Sequence, residues 1–169
     1  MEIRTATLAD RAVFLSLWKD YMIAQAKSGG PIEVCDENLL AFLGLFESYI
    51  GGSLFGATLI AWEDDTAVGL LMGGESPSSG FHLRTTAGKV CTLWGVYVQP
   101  EHRRKGIGWA LQDLGPKTAR KMGFDTMLSS VIASDPISSA NALNWGAEVR
   151  EYLITFPLAE SEHGRQRST

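Results

Sequence analysis

The distribution of apolar residues in the first third of the chain predicts one strand followed by two helices. Residues 3–6 alternate between polar and apolar side chains, which is typical of a short strand. Between residues 13 and 22, apolar side chains recur every three or four positions, as on the buried face of a helix. The Ser/Gly/Pro loop at 28–31 ends this pattern. A second helix is expected from Asp36, which can cap it, to the glycine pair at 51–52.

The middle of the chain is rich in β-forming residues. The apolar runs 55–62 and 67–72 flank a tight acidic turn at 63–65, and together they predict a β-hairpin. Two glycines at 73–74 indicate a bulge or a weakened end of the second strand. After a polar connection, residues 89–98 form a β-branched apolar run, which predicts a buried central strand.

The last part of the chain predicts a helix over 109–122, with a kink or an early break at the Gly-Pro pair 115–116 because proline removes a helical hydrogen bond. A strand over 124–132, a short helix over 135–144 and a last strand over 149–157 follow. The summed order, β-α-α-β-β-β-α-β-α-β, indicates an α/β (α+β) fold in which helices cover a mixed sheet.

Composition fits one globular domain, with 169 residues of which 45% are hydrophobic and 20% charged. We expect this domain to span 1–157 and the polar tail 158–169 to be disordered. The net charge of −4 argues against binding to nucleic acid or an anionic membrane surface. No apolar run suits a membrane span or a signal peptide, and Cys35 and Cys91 have no metal-site spacing, so a reduced cytoplasmic protein without a metal is expected.

The stretch that follows the central strand carries the clearest chemistry. Pro100 ends the strand, a basic loop follows at 103–105, and Gly106 and Gly108 open the next helix. The first N–H groups of a helix lack partners inside it, and the helix dipole places partial positive charge there. Glycines let an anionic ligand approach this backbone closely, so the stretch predicts a phosphate or pyrophosphate site.

The spacing Arg103-x-x-Gly106-x-Gly108 resembles the acetyl-CoA signature of the GCN5-related N-acetyltransferase (GNAT) superfamily; it fits neither a P-loop nor a dinucleotide-binding fingerprint. The likeness in element order spans roughly 2–157, and its motif-level support lies within 90–147. The resemblance implies a mostly antiparallel sheet and acetyl-CoA as co-substrate. The alternative interpretation is an ordinary glycine-rich β–α turn with a solvated basic loop.

The resemblance also implies how the cofactor is held. Its pantetheine would lie between the central strand and the next, with the Val96 N–H on the acetyl carbonyl and Val98 on a pantetheine amide. From strand alternation, we expect Val96 and Val98 to share a face with Trp94 and Tyr97 to point the other way. Cofactor contacts are expected at Val96, Tyr97, Val98, Arg103, Arg104, Lys105, Gly106, Ile107, Gly108, Trp109 and Asn141.

The implied reaction is direct attack of a primary amine on the thioester, aided by a base and an acid. Two family features are missing: the central strand has no carboxylate, and the position of the usual tyrosine falls on Ala142. Glu75, Ser138 and Tyr97 are weak catalytic candidates, and a solvated charge, a solvated hydroxyl and a packed aromatic are the simpler interpretations.

The acceptor is expected to be a small-molecule amine, with an amino acid or a peptide N-terminus left open. The first two helices and the loop 75–88 would bind it, and the carboxylates that could attract its charge are Asp20, Glu33, Asp36, Glu37 and Glu75. A second hypothesis is a catalytically degenerate module that binds acetyl-CoA without turnover. A third, nucleic-acid binding through 102–105, is weak because that basic cluster is short. A homodimer through the last strand is compatible with the family.

Overall fold

The computed structural model describes residues 1–75, 88–132, 140 and 142–144. Its strands are β1 (Glu2–Thr5), β2 (Gly56–Glu63), β3 (Thr66–Gly74), β4 (Val90–Val98) and β5 (Thr126–Leu128). Its helices are α1 (Arg11–Lys27), α2 (Asp36–Ile50) and α3 (Ile107–Lys121), and short 3-10 turns lie at Leu8–Asp10 and Pro100–His102.

The five described strands form one sheet in the order β1-β2-β3-β4-β5. Neighbouring strands are antiparallel except β4 and β5, which are parallel. This arrangement confirms the expected mixed α/β fold with a mostly antiparallel sheet. The long connections put α1 and α2 against one face of the sheet and α3 against the other.

Alternation along the strands divides the core into two layers. Ile60, Leu70 and Met72 point to α1 and α2, where they meet stacked rings such as Phe14 and Phe46, whose centroids are 4.4 Å apart. Their neighbours Leu59, Ala61 and Leu71 point to the opposite face and pack with Ile107 and Leu111 of α3. Because β3 is buried on both faces, its sequence is almost continuously apolar rather than alternating.

An irregularity interrupts the pairing of β3 with β4. Met72 pairs with Gly95, but its neighbour Gly73 pairs with Leu93, so Trp94 is an extra residue in β4. The glycines of β3 predicted a bulge at this place, and the structure puts the unpaired residue on the opposite strand. Such a bulge reverses the facing of all side chains beyond it.

The reversal corrects one expectation about β4. Trp94 and Tyr97 both pack with the core layer under α1 and α2, whereas Val96 and Val98 pack with the layer under α3. The prediction that Val96 and Val98 share a face with Trp94 is therefore wrong, because it assumed unbroken alternation through the bulge.

Of the two alternatives expected at the Gly-Pro pair, a kink or an early break, the early break is wrong, because α3 continues through Pro116 to Lys121. Ile107 and Leu111 bury one face of the helix in the core, and Gly115 lies so close to Leu71 that a Cβ there would be 2.8 Å from its Cδ1. Tertiary packing of this kind outweighs one missing helical hydrogen bond.

Beyond α3 the structure describes less than the sequence predicts. β5 is shorter than the expected strand over 124–132, and residues 140 and 142–144 are helical within the predicted helix. Ser138, Asn141, the predicted last strand over 149–157 and the tail over 158–169 lie outside the described residues, so the domain boundaries stay predictions. None of the described helices is long and apolar enough to cross a bilayer.

An ion pair ties β1 to the start of α1. The Arg4 guanidinium donates to both carboxylate oxygens of Asp10 at 2.7 and 2.8 Å, and Thr7 donates to it through its backbone N–H and its hydroxyl. The Asp10 side chain is only 8% exposed. These hydrogen bonds, above all those from Arg4, hold the pKa of the Asp10 carboxyl well below its usual value.

We expect Asp10→Asn to reduce the free energy of unfolding by about 2 kcal/mol at pH 7, because it removes a buried charge from its partners. The pKa of Asp10 is lower in the folded protein than in the unfolded chain, where it is about 4, so the ionised carboxylate stabilises the fold above that pH. The difference in stability between wild type and variant should therefore shrink as the pH falls from about 5 toward 2. Urea unfolding at several pH values measures it. The matched control is Asp113→Asn, whose exposed pair with Lys117 should contribute less than about 0.5 kcal/mol; equal losses in both variants would contradict the assignment.

Candidate active site

The sheet opens between β4 and β5. These strands pair only from Val90 with Thr126 to Thr92 with Leu128, while β4 continues to Val98. Just beyond the last pair, the Ser129 hydroxyl donates to the Leu93 carbonyl oxygen at 3.2 Å. Within the described residues, the far half of β4 therefore has no strand on this side, and we call the space beside this unpaired edge the gap.

Two backbone N–H groups of β4 point into this gap. The Gln99 N–H donates across to the Val68 carbonyl oxygen of β3 at 2.9 Å. Because successive residues of a strand direct their polar groups to opposite edges, the N–H groups of Val98 and Val96 point away from β3. The Val98 carbonyl oxygen agrees with this direction, because it accepts from Arg103 Nε at 2.9 Å on that side.

The spacing of these donors suits an extended ligand. Val96 and Val98 lie two residues apart, about 7 Å along the strand. Neither N–H has a strand partner in the part of the chain that the structure describes. An extended molecule carrying amide or carbonyl groups could pair with this edge as an added strand. The structure thus places Val96 and Val98 on the edge of β4 that β5 leaves unpaired, and their roles in holding a cofactor stay predictions.

A second set of donors surrounds the start of α3. Gly106 has φ of +83° at the N-cap position and Arg104 has φ of +61°. Within the described residues, the N–H groups of 104–109 have no hydrogen-bond partner. The N-terminal turn of α3 therefore presents a run of free donors and the positive end of the helix dipole, which together favour an anion such as a pyrophosphate.

The two glycines of this turn serve different purposes. Gly106 needs its glycine for the left-handed backbone, since a side chain there would be strained although nothing lies within 4 Å of its Cβ position. At Gly108 a Cβ would make only an ordinary 3.7 Å contact with Val98 Cγ2, so the fold itself does not require glycine there. Close approach of a ligand would explain this second glycine.

The turn end of the β2–β3 hairpin holds the basic loop at 103–105. Glu63 Oε2 lies 2.8 Å from His102 Nδ1 and 3.4 Å from Lys105 Nζ. The contact with His102 is the main cause of a lowered pKa of the Glu63 carboxyl. His102 therefore anchors the loop to the hairpin. Sequence analysis missed this contact because 39 residues separate its partners.

The remaining cofactor candidates surround the same turn. The side chains of Arg103, Arg104 and Lys105 are exposed there, and the Arg103 guanidinium also lies 5.8 Å from the centre of the Tyr97 ring. The Trp109 side chain is 60% exposed on the first turn of α3, whereas that of Ile107 is buried and only its backbone could serve a ligand.

Glu75 lies away from the gap. Its carboxylate accepts from the Phe55 N–H at 3.1 Å and pairs with Lys89 at 3.9 Å. It follows the end of β3, where Gly74 pairs with Thr92, and Thr92 is about 13 Å along β4 from Val96. The described contacts of Glu75 hold the strand end, and its role as a base stays a prediction.

Tyr97 is closer to the gap but faces the helices. Its side chain is 8% exposed, and burial raises the pKa of its hydroxyl above the usual value. Its catalytic role also stays a prediction.

A cleft of about 530 Å³ lies between the second half of α1 and the end of β4. Tyr97 lines it, the carboxylates of Asp20 and Glu101 border it, and the cations of Lys27 and Arg103 lie beside them. Neither carboxylate has an ion-pair partner within the described residues. Sequence analysis named Asp20 but missed Glu101 and Lys27, because no local pattern shows that α1 packs beside the end of β4.

The described residues offer no site for a metal. They contain no group of three or more His, Cys, Asp or Glu side chains that could hold an ion. The polar groups that the described residues present at the gap are the backbone amides of β4 and the cationic side chains of the basic loop.

Comparison with known proteins agrees with this geometry. The family described as "Acetyltransferase (GNAT) family" matches residues 14–140. No curated protein sequence matches the chain. Among solved structures, AAC(6')-Iy in complex with the bisubstrate analogue CoA-S-monomethyl-acetylneamine has a TM-score of 0.69 at 20% identity, over 92% of this chain and 96% of that one.

Two other solved structures are similar. The aminoglycoside 6'-N-acetyltransferase AAC(6')-IG from Acinetobacter haemolyticus has a TM-score of 0.67 at 21% identity, over 93% of this chain and 97% of that one. A ribosomal-protein-alanine N-acetyltransferase from Brucella melitensis biovar Abortus 2308 has a TM-score of 0.62 at 19% identity, over 92% of this chain and 100% of that one. At such identities the likeness shows a shared fold.

The left-handed glycine at the start of α3 generates a prediction. Gly106→Ala should strain the backbone by about 1 kcal/mol and turn the N–H groups of the first turn away from their common direction. We expect coenzyme A affinity to fall about tenfold or more, which corresponds to about 1.4 kcal/mol. Isothermal titration calorimetry with coenzyme A measures the change.

Gly123→Ala is the matched control. Gly123 has φ of +84° and nothing within 4 Å of its Cβ position, so it shares the backbone and the free space of Gly106 at the other end of α3. Both variants should lose similar stability, but only Gly106→Ala should bind coenzyme A more weakly. Equal coenzyme A affinity in both variants would show that the first turn of α3 does not hold the ligand.

Proposed function

The chain belongs to the acetyltransferase (GNAT) family, and from this we propose that it transfers an acetyl group from acetyl-CoA to a primary amine of a small molecule. The amine attacks the thioester directly. The observation that carries the proposal is the edge of β4 that no described strand pairs with, where the Val96 and Val98 N–H groups lie beside the start of α3. We call residues 104–109, which include Gly106 and Gly108, the mouth of α3. The edge and the mouth are two donor sets that one elongated, anionic thioester would use together.

In this proposal the mouth of α3 binds the pyrophosphate. The free N–H groups of 104–109 contact its oxygens, and Arg103, Arg104 and Lys105 supply countercharge around them. The Val98 N–H bonds a pantetheine carbonyl, which sets the arm along β4. The arm then ends with its thioester beside the bulge at Trp94 and Gly95.

The Val96 N–H is placed to assist the chemistry. When the amine attacks the carbonyl carbon, negative charge grows on the carbonyl oxygen, and a fixed backbone donor stabilises that charge more than the neutral carbonyl. A single donor of this kind contributes about 10²-fold to 10³-fold in rate. The intermediate then expels the coenzyme A thiolate, the amine loses a proton and the thiolate gains one.

The cleft beside α1 suits a small cationic acceptor. Its volume of about 530 Å³ lies within the range of small-molecule sites. Arg103 already donates to the Val98 carbonyl oxygen and would face the cofactor phosphates. Lys27 is then the other cation in the lining, so that Asp20 and Glu101 leave the cleft with a net negative charge that would attract an ammonium group. Two of the similar proteins, AAC(6')-Iy and AAC(6')-IG, are aminoglycoside N-acetyltransferases, which supports a polyamine acceptor. The free thiols Cys35 and Cys91 suit the reducing cytoplasm that we propose as its compartment.

The proposal is tested by following thiol release from acetyl-CoA over a panel of amines that differ in charge. We expect turnover with amines that carry two or more positive charges. Asp20→Asn and Glu101→Gln should each raise the KM of such amines about fivefold, roughly 1 kcal/mol, without changing the KM of acetyl-CoA. The effect should weaken as salt is added, because exposed charges are screened.

Asp113→Asn is the control for a lost surface carboxylate, because Asp113 lies on α3 in an exposed pair with Lys117. It should leave both KM values unchanged. Tight binding of acetyl-CoA with no turnover on any amine would instead identify a degenerate cofactor-binding module. Failure to bind acetyl-CoA at all would contradict the proposed function.

A further inference from the structure

The bulge in β4 leaves a carbonyl group that α1 binds. Trp94 is the extra residue of β4, so its peptide does not follow the regular ladder with β3. The Tyr21 hydroxyl donates to the Trp94 carbonyl oxygen at 3.1 Å. A side chain of the first helix thus supplies the hydrogen bond for a backbone group in the middle of the central strand.

The Tyr21 ring also holds the next residue of β4. A Cβ on Gly95 would lie 2.7 Å from Cε1 and Cζ of Tyr21, so ring and backbone are in direct contact. The ring is held in turn by Trp18 and Tyr97, whose centroids lie 4.9 and 6.4 Å from it. Burial raises the pKa of Tyr21 to about 12, so its hydroxyl keeps its proton and remains a donor near neutral pH.

Gly95 links this anchored peptide to the Val96 N–H. Glycine has the greatest backbone freedom of any residue, so a glycine in front of a catalytic donor would let that donor turn. Tyr21 removes this freedom in two ways, because its hydroxyl holds the peptide before Gly95 and its ring packs on Gly95 itself.

We propose that Tyr21 is a positioning residue for the acetyl-transfer site: by fixing the Trp94–Gly95 bulge it aims the Val96 N–H at the thioester carbonyl oxygen. This inference rests on the proposed function. The competing explanation is that Tyr21 only supplies a hydrogen bond to the half-buried carbonyl of Trp94. Its loss would then change the stability of the protein but not the thioester carbonyl of bound acetyl-CoA.

A second tyrosine on the same tryptophan provides the matched control. The Tyr49 hydroxyl accepts from Trp94 Nε1 at 2.8 Å and donates to the Glu75 carbonyl oxygen at 2.6 Å. Like Tyr21, it is buried enough for its pKa to be raised to about 12. Tyr49 therefore holds the indole of Trp94, whereas Tyr21 holds the backbone that leads to Val96.

The experiment is infrared difference spectroscopy of acetyl-CoA labelled with ¹³C at its carbonyl, bound to the protein without any amine. In the wild-type protein the carbonyl stretch should lie below that of free acetyl-CoA, because a donor to the oxygen weakens the bond. Tyr21→Phe keeps the ring and should return the stretch toward the free value. In turnover, the variant should lose about tenfold in kcat with little change in the KM of acetyl-CoA.

Tyr49→Phe should lower the melting temperature but leave the stretch where the wild-type protein has it. If folded Tyr21→Phe gives the same carbonyl stretch as the wild-type protein, the proposal is overturned. It is also overturned if Tyr21→Phe and Tyr49→Phe change the stretch equally. If Tyr21→Phe does not fold, Gly95→Ala displaces the ring from the other side and should give the same change; an unchanged stretch in folded Gly95→Ala would overturn it too. A wild-type protein that does not bind acetyl-CoA would instead refute the proposed function.

Discussion

The candidate site depends on one constraint, which is that β4 and β5 pair along only part of the length of β4. Backbone donors in a folded protein are almost always paired, and a buried one without a partner costs about 1–3 kcal/mol. Beyond Thr92 and Leu128 the described chain gives up this pairing on one edge of its central strand. The fold tolerates these unpaired N–H groups because Val96 and Val98 are only half-buried, so that water can satisfy the donors. A strand edge kept open inside a sheet is a site already shaped for an extended ligand.

Everything that positions the candidate site follows from keeping that edge open and rigid. The bulge at Trp94 turns Val96 and Val98 toward the α3 side, and α3 then brings its N-terminal turn beside them. Glu63 ties the basic loop to the hairpin through His102 and Lys105, so the countercharge of the loop is held near its place before a ligand arrives. Preorganised donors and charges bind more tightly because less order is lost on binding.

The sequence predicted those features that depend on neighbouring residues. Apolar periodicity and glycines were enough for α1, α2, the hairpin and β4, and the mouth of α3 could be recognised because Arg103, Gly106 and Gly108 lie close together in the sequence. Contacts across the chain could not be read in this way: Tyr21 and Trp94 are 73 residues apart, and Glu63 and His102 are 39 apart. The bulge was expected from Gly73, but its extra residue lies on the partner strand, where nothing local marks it. Pro116 misled because local propensity carries no information about packing against Leu71.

In the proposed function, one ligand uses the open edge of β4 and the mouth of α3 together. Amide ¹H–¹⁵N NMR spectra recorded while acetyl-CoA is added can distinguish a ligand at both places from one at α3 alone, because each backbone N–H reports separately. A ligand that spans both places is expected to give large shifts for Val96, Val98 and the amides of 104–109, and slower exchange with solvent for the two valines. Shifts confined to the mouth of α3, with Val96 and Val98 unchanged at saturation, would contradict it.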